Sequence, residues 1–353
     1  MQDKTKFRQE RSVFRLIVII ASLVITIAGL KAMAELLGYI LLSLFVVLIC
    51  YPIIIWLKGR GVPGWLAYTL ILLGVIAVGL VFIIFLGVSL TELYGALPKY
   101  QDRLEQQLSG LEQWLANYNI FLEDVLKLDW FRPTRIFQVL VSFVQYLLGS
   151  LGNITLTLLI FIYMLASAAN FTARLQHGLA SQPSLLHRCR SFARSISSYL
   201  LIKSWLGLLT ALGQIILMGI LGVDFTVLWG VLSFLFNFVP NIGFYIALIP
   251  PVVITLLEFG LTKTIILVVG YTLINNFFDM AIAPRYLSEG LNLSVLVTFL
   301  AVILWSWILG PIGAFMALPL TLMVKNLVLE SFSDTQLLAS LMSSGSGETP
   351  SRR

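Results

Sequence analysis

Long apolar blocks separated by short polar segments dominate the chain. A helix rises about 1.5 Å per residue, so about 20 apolar residues cross a hydrocarbon core about 30 Å thick. Residues 13–30, 34–56, 65–90, 146–167 and 200–221 meet that length, and 265–282 falls slightly short but is usable. Six membrane-spanning helices are therefore predicted. The first block follows basic residues and is followed by Ala32-Met33-Ala34, which has the form of a leader cleavage site. Its apolar part is 18 residues. A leader's apolar region is roughly 7–15 residues, so the block is read as an uncleaved span.

Two later stretches do not fit as simple spans. Residues 225–257 carry Pro240-Asn241 near the middle, and as one straight helix they would be about 50 Å long. Residues 293–329 repeat the problem around Gly310-Pro311. Proline removes a backbone donor and blocks the preceding turn, while Gly and Asn let the chain reverse. Each stretch is predicted as helix, break, helix. Halves of about 16 to 18 residues suit a re-entrant hairpin, with a single bent span as the alternative.

The two stretches also resemble each other. Gly222-Val223-Asp224-Phe225-Thr226-Val227-Leu228 aligns with Gly290-Leu291-Asn292-Leu293-Ser294-Val295-Leu296, and Pro240-Asn241-Ile242-Gly243 aligns with Pro311-Ile312-Gly313 after a small gap. Ala247-Leu248 before Pro250 then matches Ala317-Leu318 before Pro319. Asp224 and Asn292 stand where a helix N-cap is wanted. An internal repeat is expected, as in many transporters.

Beyond the third block, Leu93, Leu97, Tyr100, Leu104, Leu108, Leu111 and Leu115 keep a spacing of three to four, with Asp102, Glu105 and Glu112 between them. That pattern predicts an amphipathic helix continuing out of the membrane. Its stripe either covers Trp114, Phe121 and Phe131 of the same chain or meets a second copy. Residues 170–203 hold five basic residues, no acid and both histidines, with Phe192, Ile196 and Tyr199 on one face. This segment is expected to lie as a surface helix against anionic lipid. The organisation expected is a three-span region (1–90), an extracytoplasmic helical region (91–145), a fourth span with the basic helix (146–199), a transport core holding both broken elements (200–330) and a polar cytoplasmic tail (331–353).

Composition agrees. The 353 residues are 59% apolar and only 11% charged, and mean hydropathy is +0.95. Soluble chains carry about 25% charged residues. The fold class is an all-α polytopic membrane protein, with about six full spans plus two broken re-entrant hairpins, equivalently eight membrane segments, and an inverted repeat in the C-terminal half. The net charge of +6 is spread over loops and forms no nucleic-acid stripe. Cys50 lies in an apolar block and Cys189 in the basic segment, so no bridge between them is expected. With the N-terminus inside, sixteen Lys and Arg residues fall on the cytoplasmic side and seven outside, which places both termini in the cytoplasm. In that topology the first hairpin enters from outside and the second from inside. Charge gives the same tally for bent spans.

Nothing in the sequence resembles a catalytic apparatus, a nucleotide-binding motif or a metal-spaced histidine pair, so neither enzyme activity nor a cofactor is expected. Polar residues at membrane depth are the better clue, because they are costly there. Asn237 and Asn241 are four apart and flank the first break, so both are expected to face one side. Asn275 and Asp279 are also four apart, with Asn276 beside them. Backbone groups freed around Pro240, Gly243, Gly310, Pro311 and Gly313 are candidates for holding an ion or polar solute. Alternatives stand beside each: Asn241 as a local cap, Asp279 as an interfacial acid pairing with Arg285, and Trp305 and Trp307 as interfacial anchors. Pro250, Pro284 and Pro319 are read as structural.

The residues that carry these breaks resemble a known family. Phe238-Val239-Pro240-Asn241-Ile242-Gly243, Ile249-Pro250-Pro251, Ala283-Pro284-Arg285, Trp305-Ser306-Trp307, Gly310-Pro311-Ile312-Gly313 and Ala317-Leu318-Pro319-Leu320 are similar to the hallmark region of the autoinducer-2 exporter (AI-2E) family of bacterial permeases. These motifs lie between about residues 199 and 325. The resemblance implies a bacterial inner-membrane protein of eight membrane segments that transports without ATP and assembles as an oligomer, a pentamer among the states implied. It further implies export of autoinducer-2 or, in some members, exchange of sodium or lithium for protons. The family often places Glu or Asn shortly before the Pro of its Pro-Arg pair, whereas here Asp279 is five residues ahead of Pro284. The expectation is a secondary transporter exporting a small polar solute. The alternatives are a cation/proton antiporter with Asp279 carrying the proton, and a passive pore or structural membrane protein. Membrane lipid, the solute and H+ or Na+ are the expected partners.

Overall fold

The computed structural model describes residues 17–18, 20–22, 24–116, 138, 141–142, 145, 154–178, 183–283, 293–331 and 340–342. Every regular element among them is helical. An apolar stretch, Ile20–Ala32, leads into α1 (Ala34–Gly59), followed by α2 (Gly64–Ala116), α3 (Ile154–Gly178) and α4 (Pro183–Leu221). Then come α5 (Thr226–Phe236), α6 (Gly243–Phe259) and α7 (Leu261–Asn276), which continues as a π-helical turn over Phe277–Ile282. The last α-helices are α8 (Val295–Leu309), α9 (Pro311–Phe315) and α10 (Ala317–Met323), which runs on into a π-helical turn over Val324–Val328. Four helices among the described residues are long and apolar enough to cross a membrane: Ala34–Gly59, Gly64–Leu104, Leu186–Leu221 and Leu261–Ile282. Large apolar side chains such as Val78, Ile220 and Val295 stand on the outer surface, 70%, 79% and 77% exposed. Water does not tolerate such a surface, but lipid does.

The chain forms two compact units, Phe45–Asn292 and the combination of Met1–Leu44 with Leu293–Arg353. In the larger unit, α2 runs unbroken for 53 residues, about 80 Å, so the amphipathic continuation is present as expected. Part of its stripe packs where neither alternative placed it. Leu93 and Tyr100 are fully buried with Val223, Leu228, Trp229 and Leu257, so this part of the stripe packs on the first broken element of its own chain. Trp114, Phe121 and Phe131 lie outside the residues whose side chains are described.

The basic segment also differs from expectation. It is no separate surface helix: residues from Pro183 onward are the first turns of α4, continuous with the span. Ile196, Ser197, Tyr199 and Leu200 turn inward and are buried, while Arg188, Arg190 and Arg194 remain outside. A single apolar face carried through both halves makes one helix cheaper than two.

The stretch at residues 225–257 is a hairpin. α5 has 11 residues and α6 has 17, so at about 16 Å and 25 Å neither crosses a hydrocarbon core about 30 Å thick. The two ends return to one place, where Asp224 and Glu258 are held by the same ammonium, Lys99. In the smaller unit, α8 and α10 fold against each other through the Trp305 indole, which donates to Thr321 Oγ1 at 3.0 Å. The backbone N–H of Ser294, at the start of α8, donates to the Met342 carbonyl at 3.0 Å.

Both helix starts differ from the predicted caps. Asp224 does not cap α5; its carboxylate is drawn to Lys99 and Tyr100, and Phe225 occupies the N-cap position in the left-handed region at φ 58°. The α8 cap is Ser294, whose Oγ accepts from the Val297 N–H at 3.2 Å. Asn292, Pro284 and Arg285 lie outside the described residues.

Candidate functional site

At the first break, Asn237 extends α5 by a tight turn, Phe238 and Val239 are buried, and Asn241 adopts φ 62°. Phe238 is wedged edge-on between Phe45 and Phe234, with ring centroids 5.2 and 5.7 Å away. Pro240 is half-buried and its carbonyl accepts from the Ile242 N–H at 2.7 Å. Asn241 caps nothing, since α6 has no side-chain cap. The two asparagines do not share one side. Asn237 Nδ2 is buried with no hydrogen-bond partner, whereas Asn241 is exposed, because its left-handed backbone swings it out of the helical phase.

The breaks share one device. A Cβ on Gly243 would meet the Phe236 carbonyl oxygen at 1.8 Å, and one on Gly313 would meet the Trp305 carbonyl oxygen at 1.9 Å. In each hairpin the returning chain lies on the backbone of the outgoing helix, where no side chain fits. The aligned glycines thus do the same work, as the internal repeat requires. Gly310 makes the second turn at φ 69°, and Pro311 opens α9 at its first position, where a missing N–H costs nothing. Pro250 and Pro251 are buried inside α6, and Pro319 inside α10. Trp307 is exposed, with the Lys31 ammonium 4.3 Å from its ring centroid.

Asn275 and Asp279 do meet, with Nδ2 donating to Oδ2 at 3.3 Å, and Asn276 faces outward. Asp279 has a second partner besides Asn275. Lys203 Nζ on α4 donates to its Oδ1 at 3.0 Å, a partner 76 positions away that local sequence does not reveal. This pair marks one end of the α4–α7 packing. About 27 Å further along α4, Lys263 Nζ donates to the Leu221 carbonyl at 3.0 Å beside the hairpin mouth.

The mouth is the densest charge cluster among the described residues. Lys99 Nζ lies 3.1 Å from Asp224 and 3.2 Å from Glu258, Arg103 reaches Glu258 at 3.5 Å, and Tyr100 donates to Asp224 at 2.9 Å. Glu258 is 5% exposed, and its Oε2 has no partner. Burial and the neighbouring Asp224 charge hold the Glu258 carboxyl above the usual carboxylate range, against the pull of Lys99. For Asp224, partial burial acts upward, but hydrogen bonds from Glu258, Tyr100 and Lys99 outweigh it and hold the group below that range.

Sequence reasoning missed a second feature at mid-depth. Gln214 of α4, Ser233 of α5 and Tyr271 of α7 are all buried, and Ser233 Oγ donates to Gln214 Oε1. That bond leaves Gln214 Nε2 without a partner, and the Tyr271 hydroxyl faces Ser233 without completing a hydrogen bond. One turn beyond Ser233 stands Asn237, whose unpartnered Nδ2 fills the space over Gly207. A polar seam therefore runs between α4 and α5, about 16 Å along α4 from Lys203 and about 10 Å from Leu221. Isolated polar residues inside apolar spans were the available signal.

A broken hairpin with polar groups at mid-depth is the construction of many secondary transporters; comparison with known proteins shows a transport family. The profile of the AI-2E family transporter matches residues 20–332. The chain belongs to the AI-2E transporter family. Similar AI-2E relatives include the AI-2 transport protein TqsA of Escherichia coli K12, 30% identical over 93% of this chain and 95% of the relative. A provisionally named transport protein of Haemophilus influenzae is 34% identical over 92% and 94%. The E. coli K12 protein YhhT, also provisionally named a transport protein, is 28% identical over 87% and 88%. The AI-2E match covers both hairpins and the helices that hold them. The protein is thus a multi-pass membrane protein of a transport family.

Proposed function

We propose that this protein is a secondary permease that exports a small polar solute of the autoinducer-2 kind across a bacterial inner membrane, with both termini cytoplasmic and several copies assembled together. The observation that carries this reading is the first hairpin: two half-helices too short to cross, closed at the mouth by Lys99 and lined at mid-depth by polar side chains. Such an element moves at the cost of a few ion pairs and without unfolding a span. The 30% identity to the AI-2 transport protein TqsA supports the choice of solute.

The test is flux in ATP-free liposomes holding the purified full chain. Saturable autoinducer-2 flux that responds to a solute gradient supports the permease. Flux that rises linearly with concentration supports a pore. Dissipation of a proton gradient on adding sodium or lithium, without autoinducer-2 flux, supports the exchanger, in which Asp279 is the proton carrier.

A further inference from the structure

We infer that the turn joining α1 to α2 binds the headgroup phosphate of an anionic glycerophospholipid, and that Lys58 and Arg60 are the groups that hold it. The inference does not depend on which solute is carried. α1 ends at Gly59 and α2 begins at Gly64, so the connection is short. Gly61 closes it at φ 87°, with its N–H donating to the Lys58 carbonyl at 3.0 Å and the Val62 N–H donating to the Leu57 carbonyl at 3.2 Å. Beneath the turn, Ile54 and Ala67 pack with Phe161 and Leu165, which seats it on three helices. Two aromatic rings then place the cations. The Lys58 ammonium lies 4.6 Å from the Tyr68 ring centroid, and the Arg60 guanidinium lies 4.2 Å from that of Trp56.

A ring attracts a cation without neutralising it. Lys99, Arg103 and Lys203 each meet a carboxylate, whereas no ion pair among the described residues includes Lys58 or Arg60. The sequence offers them none nearby, since no Asp or Glu stands between Glu35 and Glu92. Two neighbouring positive charges are therefore left for an anion from outside the chain. A guanidinium laid on a ring keeps its in-plane N–H groups free, the fork that matches two phosphate oxygens, and the ammonium adds a point charge. The surroundings choose a lipid. Trp56 and Trp65 are exposed on either side of the turn, as aromatic side chains are at a membrane interface. Ile55 and Leu70, exposed on α1 and α2, offer apolar surface to acyl chains. A turn this short between two membrane-crossing helices stays at headgroup depth, where a lipid phosphate is already present.

Native mass spectrometry of the purified full chain tests the site, with phosphatidylglycerol (anionic) or phosphatidylcholine (no net charge) titrated into the detergent. One cation beside an anionic headgroup contributes about a fivefold preference, so two contribute about tenfold or more. The wild type is expected to retain its first phosphatidylglycerol at a concentration about tenfold below that needed for phosphatidylcholine. The double variant Lys58→Gln, Arg60→Gln is expected to bring the two lipids within about twofold. The double variant Arg190→Gln, Arg194→Gln, which removes exposed cations of α4, is expected to keep the preference. Only compact, low-charge ions are counted, so a variant that folds in lower yield does not mimic one that has lost the lipid. Equal retention of the two lipids by the wild type, a preference that survives without Lys58 and Arg60, or one that disappears with Arg190 and Arg194 would overturn the site. Displacement of the lipid by glycerol 3-phosphate at a similar concentration would also overturn it, by assigning the turn to a soluble phosphate.

Discussion

Asp224 and Glu258, which bracket the first broken element, accept hydrogen bonds from the same Lys99 ammonium at 3.1 and 3.2 Å. A straight or bent span would separate such residues by the thickness of the membrane. Lys99 therefore acts as a clasp on the hairpin, and α2 carries the clasp. Because Lys99 and Asp224 are roughly half exposed, their pair contributes little, while Glu258 is buried and keeps Arg103. Lys99→Met is expected to cost about 1 kcal/mol, seen as a fall of a few degrees in the melting temperature of the detergent-purified chain.

The clasp also sets a pH dependence with two limbs. Glu258 holds its proton more tightly folded than unfolded, so its contribution is complete below the ordinary carboxylate pKa and declines as pH rises toward the raised value. Asp224 works in the opposite sense: its contribution is present above the ordinary range and lost as pH falls through its lowered value. Glu258→Gln is expected to flatten the decline above about pH 4.3 and leave the acid limb in place. Melting temperature measured across pH 3 to 8 checks this.

The two close-packed glycines make a paired prediction. Gly243→Ala and Gly313→Ala each press a Cβ onto a backbone carbonyl, which cannot swing away as a side chain does. Each is expected to cost about 1–3 kcal/mol or more and to lower the yield of monodisperse protein. Gly79→Ala, with open space around it, is expected to be neutral or slightly stabilising.

Lys203 and Asp279 are expected to be coupled. Lys203→Met leaves a partly buried carboxylate with Asn275 alone, and Asp279→Asn leaves a largely buried ammonium. Each single variant is expected to lose about 1–2 kcal/mol, and the double variant less than the sum. Melting temperatures of the four proteins form the cycle, and strict additivity would deny the contact.

Asn241 is expected to matter for its backbone. Its φ of 62° suits Asn or Gly, so Asn241→Gly is expected to keep stability within a few tenths of a kcal/mol, while Asn241→Leu loses about 1–2 kcal/mol. Retained flux in Asn241→Gly places its side chain outside the solute path, and lost flux would return it there.

The breaks were readable from local chemistry: Pro240-Asn241 and Gly310-Pro311 interrupt apolar runs too long to cross, and the chain turns at both. The aligned Gly243 and Gly313 were found by the repeat, but only coordinates show the carbonyls beneath them. The clasp was hidden because Lys99 and Asp224 are 125 positions apart, and Glu258 falls one residue beyond the apolar stretch. The seam was hidden for a related reason. Gln214, Ser233 and Tyr271 each sit alone in a different apolar block, and periodicity within one block carries no information about pairing between blocks. The missed caps have a different cause: Asp224 is a good N-cap residue, but a lysine from α2 competes for its carboxylate and wins.

Residues 225–257 enter and leave on one side of the membrane, and side-specific labelling tests this most directly. In a chain with Cys50 and Cys189 replaced by alanine, single cysteines at Asp224, Leu261 and Arg194 are exposed to a membrane-impermeant maleimide from each side. The cysteines at Asp224 and Leu261 are expected to react from one side and that at Arg194 from the other. Labelling of the Asp224 and Leu261 positions from opposite sides would contradict the hairpin, and with it the clasp.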